Sequence, residues 1–124
     1  MQWLDDKITK SKIKSILKID SFSHVDFLQL SIYRSVGSSS RAIARIWGLP
    51  RVWQQALNVK PHYIIEVISE KYDRLSDENK IKTLIHELLH IPKGFSGALV
   101  PHKGARKYHI NNRLIDAIYQ NYSK

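Results

Sequence analysis

The sequence predicts an α+β fold in which an antiparallel or mixed sheet of about three strands packs on one strongly amphipathic helix, with further helices at both ends. Three observations carry this expectation. Residues 77–91 repeat apolar side chains at helical spacing, segments 27–33 and 62–72 have the alternation or β-branched density of strands, and Gly and Pro fall between these runs.

Taken in order, residues 5–19 place Ile8, Ile13, Ile16 and Leu17 close to helical spacing, and Asp5 and Asp6 suit the positive end of a helix dipole. Residues 27–33 alternate apolar and polar up to Tyr33, and the Gly-Ser stretch at 37–40 reads as a turn. The run 41–47 follows and is broken at 48–50, so the two runs predict a β-hairpin. Residues 51–59 read equally as a short helix or a continuing strand, closed by Pro61. Residues 62–72 are rich in β-branched and aromatic side chains and predict a strand.

Ser76 then stands as a helix N-cap, Asp77 and Glu78 favour a first turn, and Pro92 forces Ile91 out of helical geometry, so a helix is expected over about 77–91. Ile81, Leu84, Ile85, Leu88 and Leu89 form one broad apolar stripe, with His86 and His90 outside it. A loop punctuated by Gly and Pro covers 92–104, and 105–122 predict a last helix burying Ile110, Leu114, Ile115, Ile118, Tyr119 and Tyr122. At 124 residues, one domain spanning 1–124 accounts for the chain.

Composition removes several classes of protein. With 43% hydrophobic and 25% charged residues the chain is neither disordered, collagenous nor a coiled coil. No apolar run approaches the roughly 20 residues of a membrane span, and the N-terminus has no secretion-signal core, which predicts a cytoplasmic protein without membrane partners. The chain has no cysteine, so a metal site would have to use histidine and carboxylate. Twenty Lys and Arg against 11 Asp and Glu give a net charge of +9. The denser patches are Lys7, Lys10, Lys12, Lys14 and Lys18, and later Lys103, Arg106, Lys107 and Arg113. They predict weak nucleic-acid association through phosphates, although charge spread this evenly also serves solubility.

The segment TLIHELLHIPKGFSGALVPHKG, residues 83–104, carries the chemistry. His86 and His90 are four apart, one helical turn, so both imidazoles can reach the same point. Glu87 stands beside the first of them, placed to accept a proton from a water held there. This is the HExxH arrangement of zinc hydrolases, in which the ion lowers the pKa of water from 15.7 to about 7 and polarises the carbonyl under attack. A catalytic zinc needs a third protein ligand. No glutamate follows Glu87, while Glu66 and Glu70 lie upstream on the predicted strand. Downstream, His102, His109 and Asp116 are the candidates, with His102 favoured because Pro101 lets its loop aim a ligand back at the motif. His109 and Asp116 share a polar face with Arg113, and Arg106, Tyr108 or His109 could stabilise an oxyanion. His24 and His62 sit at segment edges and read as surface residues.

The runs SRAIARIWGLPRVWQQAL, YIIEVISEKYDRLS and LIHELLHIPKGFSGALVPHKG together resemble a metallopeptidase family of archaea and phages that carries an HELLHIP…FSG…PH signature. The resemblance covers residues from about 30 to 104 and implies a small zincin-like fold, zinc held by His86 and His90, Glu87 as catalytic base and His102 as third ligand. The metzincin plan does not fit, because Lys93 and Ser96 stand where it has glycine and histidine. More distantly the chain is similar to SprT-type proteases, which act on proteins crosslinked to DNA, but it lacks their cysteine zinc ribbon.

The expected activity is therefore zinc-dependent hydrolysis of a peptide or protein substrate, which could add as an extra strand beside residues 62–70. A second expectation is a basic module associated with nucleic acid, in which Tyr33, Trp47 and Trp53 near Arg41, Arg45 and Arg51 stack on bases. A third is a latent peptidase whose cleft is covered by the N-terminal helix or C-terminal tail. Iron, cobalt and nickel suit the same donors as zinc.

Overall fold

The strand Tyr63–Ile68 is the most apolar in the chain, and it occupies the interior of the sheet with neighbours on both sides. The computed structural model describes residues 1–102 and 110–124. In chain order the elements are β1 (Gln2–Asp5), α1 (Lys7–Ile16), β2 (Leu30–Val36), β3 (Ala44–Gly48), α2 (Arg51–Leu57), β4 (Tyr63–Ile68), α3 (Ser69–Tyr72), α4 (Asp77–Leu89) and α5 (Asn112–Tyr122). Short 3₁₀ turns at Asp20–Phe22 and Phe27–Gln29 link α1 to β2.

The fold is α+β, as expected, with a mixed sheet of four strands in the order β1-β2-β4-β3. β2 and β4 run parallel, with Ile32 opposite Ile65, and the two outer pairings are antiparallel. This corrects the hairpin expected from residues 27–33 and 41–47, because β4 is inserted between β2 and β3. The reason is burial: Tyr63, Ile65, Val67 and Ile68 are all fully buried, which an interior strand achieves and an edge strand does not. The 37–43 connection therefore crosses the end of β4, where the Ile68 amide donates to the carbonyl of Ile43 at 2.9 Å. The insertion also corrects the idea of a substrate strand beside 62–70, since both edges of β4 are taken. The expected strand over 62–72 ends at Ile68, where Ser69–Tyr72 turn into α3. β1 is too short and exposed to show an alternating pattern.

Local capping explains the helices. Asp6 caps α1, accepting from the Thr9 amide at 2.9 Å and the Thr9 hydroxyl at 2.7 Å. Ser76 caps α4 through the Asn79 amide, and Asn111 caps α5, which begins at Asn112, through the Leu114 amide; residues 105–109 of the expected last helix lie outside the described residues. The open segment 51–59 forms the helix α2, ended by Asn58 in a left-handed conformation.

The helices α1, α4 and α5 contribute Ile13, Ile16, Leu84, Ile85, Leu88, Ile115 and Ile118 to a core shared with Leu30, Ile32, Tyr63, Ile65 and Val67 of the sheet. Each such side chain contributes roughly 1.5–3 kcal/mol on burial, so α4 is anchored firmly by its stripe. The other sheet face carries Glu66, fully buried and paired with Arg45 at 2.9 Å, with the Trp47 indole donating to it at 3.2 Å. Burial would raise this carboxyl, but its donors hold it below the ordinary carboxylate range. An open groove of about 960 Å³ lies on that face, lined by Trp3, Tyr33, Trp47 and Ile64 among others. No helix of the described residues is long and apolar enough to cross a membrane.

Candidate metal centre

The motif begins on a helix that has every reason to be rigid. Its apolar stripe is buried against the core, and the opposite end from its Ser76 cap stops at Leu89, with His90 as the C-cap residue still in right-handed helical geometry. That last point keeps His86 and His90 one turn apart, and their ring centroids lie 5.3 Å from each other. His86 is half-buried, while Glu87 and His90 are 9% and 8% exposed.

Beyond Pro92 the chain reverses. Phe95 and Gly97 take positive φ values of 46° and 96°, and the strand-like return brings the Val100 amide to the His90 carbonyl at 2.7 Å. In the reverse direction His90 Nδ1 donates to the Val100 carbonyl. This bond fixes the tautomer and leaves the His90 Nε2 lone pair free for a ligand. The return delivers His102, whose ring lies 4.9 Å from that of His86 and 4.5 Å from that of His90.

The Nε2 atoms of His86 and His102 are 2.7 Å apart, and ligand atoms of His86, His90 and His102 all lie within 4.8 Å of one another. Three imidazole nitrogens around one point are a donor set able to hold a metal ion, and the exposed side of His102 leaves an approach for a further ligand. Electrostatics agree. Burial pushes His86 down to about 4, helped by repulsion from His90 and His102, and burial also lowers His90. Both are thus neutral at neutral pH, which is the ligating form. Burial alone pushes the Glu87 carboxyl up to about 7.

The other residues singled out by the sequence are placed as follows. Asp116 stands on α5 in an ion pair with Lys82 at 3.0 Å and is not part of the three-histidine group. His109, Arg106 and Tyr108 lie outside the described residues. Glu66 is occupied by Arg45, and Glu70 accepts from the Gly37 amide at 2.8 Å. His24 and His62 are half-buried rather than free on the surface: His24 donates to the Ile91 carbonyl at 3.0 Å and His62 meets the Ser31 hydroxyl at 2.7 Å. Sequence reasoning did not single out Tyr63, Gln54 or Gly48, all of which touch the segment leading to His102. A buried tyrosine needs a partner for its hydroxyl, a signal that could have flagged Tyr63; nothing in the sequence marks Gln54.

A small α+β protein with three histidines able to hold a metal ion, two of them one turn apart on a helix, has the layout of a metallopeptidase. The chain belongs to the family described as "Putative phage metallopeptidase", whose model matches residues 1–119. No curated protein and no solved structure matches it.

Proposed function

We propose that this protein is a zinc-dependent peptidase in which His86, His90 and His102 hold the ion and Glu87 is the general base. The observation that supports it most is the convergence of three imidazoles next to a buried carboxyl on a chain of a metallopeptidase family. An all-nitrogen donor set without thiolates suits zinc, as it would iron, cobalt or nickel. When bound, the ion would make water a nucleophile near neutral pH and polarise the scissile carbonyl.

The chain's own residues do the rest. Glu87, with its carboxyl raised to about 7, is balanced to take a proton at neutral pH and return it to the departing amine. His90, held by Val100, and His86, seated on the rigid part of α4, present lone pairs without needing to lose a proton first. An extended peptide would use the outer edge of β3, which packs against α4 and which no strand of the described residues pairs.

The test is a zinc titration of the purified protein combined with cleavage of a peptide library followed by mass spectrometry. One equivalent of zinc is expected, and Glu87→Gln should keep the metal while losing at least about 100-fold in cleavage rate. A protein that takes up no zinc, or an equally active Glu87→Gln, overturns the proposal.

A second reading, association with nucleic acid, is supported by the surface of α1. Lys7, Lys10 and Lys14 are exposed on one helical face with Lys18 a turn beyond, and none of them is ion-paired among the described residues. The stacking platform is less open than expected, because Arg45 and the Trp47 indole nitrogen are committed to Glu66. Lys103, Arg106 and Lys107 lie outside the described residues.

A further inference from the structure

His102 arrives from a stretch with little to hold it in place by itself. Between Pro92 and His102 the chain has no helix or strand, and its own anchorage to the motif helix is the paired contact of Val100 with His90. Beyond the local bonds of the Phe95 amide to the Pro92 carbonyl and of the Ala98 amide to the Ser96 hydroxyl, further anchors come from outside the stretch. The buried phenol of Tyr63 on β4 is used twice, accepting from the Gly97 amide at 2.8 Å and donating to the Ala98 carbonyl at 2.7 Å. The same ring meets Phe95 edge to face, with centroids 5.0 Å apart. From α2, Gln54 donates through Nε2 to the Ser96 carbonyl and to the Leu49 carbonyl, each at 2.8 Å.

Gln54 is unusual within its helix. α2 has no buried residue, and Val52, Trp53 and Leu57 are exposed, so the helix is not held there by a core of its own. Its position N-terminal to β4, with the amide bridging 49 and 96, gives α2 a purpose that packing does not.

We infer that Tyr63 and Gln54 are positioning residues for the metal centre: they hold the 95–98 segment against the sheet so that His102 meets His86 and His90 with little ordering left to do on metal binding. The inference rests on the reading of these histidines as ligands. A ligand on a free loop would have to be ordered as the ion binds, and the entropy of that ordering would subtract from affinity. Outer partners of metal ligands typically cost 10–100-fold in affinity when removed. Tyr63 and Gln54 stand one step further out, acting through the backbone that carries the ligand.

The experiment is a double-mutant cycle on zinc affinity, measured by competition with a chromophoric chelator. Tyr63→Phe keeps the ring and its contact with Phe95 while removing both hydroxyl bonds. It is expected to weaken zinc binding about 10-fold in the parent chain and to have no effect in a His102→Ala background, because the ligand it positions is gone. Gln54→Ala, on an exposed helix that will tolerate the change, should behave in the same way with a smaller loss. Circular dichroism confirms that each variant is folded before titration. Parent-like affinity in both Tyr63→Phe and Gln54→Ala overturns the inference, as does the same fold loss with and without His102, which is what general loosening of the fold would produce. A parent chain that binds no zinc fails at the first titration and removes the metal reading together with this one, so the two failures are told apart.

Discussion

Gly48 on β3 and Gly97 in the segment leading to His102 lie back to back, so closely that a methyl group on Gly48 would collide with the Gly97 carbonyl oxygen. Backbone cannot yield as a flexible side chain does, so either β3 or the ligand-bearing segment has to move. Gly48→Ala is expected to cost about 1–3 kcal/mol by overpacking and to weaken metal binding along with stability. Gly94 is the internal control: nothing lies within 4 Å of a Cβ built there. Gly94→Ala should melt within a degree or two of the parent, and a Gly48→Ala variant that does the same would show that the close approach is not maintained in solution.

Much of α4 and its histidine pair was legible in the sequence because every local signal agreed. The Ser76 cap, the acidic first turn, the stripe from Ile81 to Leu89 and Pro92 all point to one helix, and the i, i+4 spacing of His86 and His90 follows from it. The sheet order was not legible. Whether β2 and β3 pair as a hairpin or admit β4 between them depends on which strand buries most apolar surface, a comparison between distant segments that alternation alone does not make. The approach of His102 was a matter of chemical type from sequence; its geometry depends on Tyr63, Gln54 and Gly48, which lie 39 to 54 positions upstream and act only through tertiary contact.

The ligand set itself can be divided. Because His102 sits within the histidine group while Asp116 is paired with Lys82, His102→Ala should weaken zinc binding by at least about 100-fold and Asp116→Ala should leave it unchanged. Thermal melts read this independently of activity. A ligand at 100 times its dissociation constant stabilises the folded state by about 2.7 kcal/mol, so zinc should raise the melting temperature of the parent and of Asp116→Ala, and have a much smaller effect on His102→Ala. An equal zinc-induced shift in all three would remove His102 from the centre.

Stability should also respond to acid through Arg34. Its guanidinium bridges Asp73, at 2.8 and 2.9 Å, and buried Asp6, at 3.1 Å, joining α3 to the start of α1 across β2. The hydrogen bonds from Arg34 hold the Asp73 carboxyl below its usual value. A depressed folded-state pKa contributes stability that is present above the unfolded value, near 3.9, and is lost as pH falls through the folded one. Asp73 is about half exposed, so screening reduces the pair to about 0.5 kcal/mol. Asp73→Asn should be less stable than the parent by that amount at pH 7, and the gap should close as pH falls from 4 towards 2. Denaturant unfolding across that range checks it, and a gap that stays constant with pH would mean that the charge of Asp73 is not what matters.

The lysines of α1 give the last prediction its numbers. Lys7, Lys10 and Lys14 are separated by three and four residues, so they follow one side of α1 over about 10 Å, and Lys18 extends the patch just past the end of the helix. Lys10 and Lys14 also lie over the Phe27 ring, at 5.6 and 5.9 Å, which steadies two otherwise mobile side chains. If four phosphates are contacted, the logarithm of the binding constant should fall against the logarithm of salt concentration with a slope of about −3 to −4. Replacing Lys10 and Lys14 by Gln should reduce that slope by about 2, leaving zinc uptake unchanged because neither residue touches the histidines. Fluorescence anisotropy with a labelled oligonucleotide between 20 and 200 mM salt measures both slopes, in the ~10-fold range where counterion release dominates. Absence of binding at the lowest salt, or a slope indifferent to the two substitutions, would leave the charge of α1 with solubility as its function.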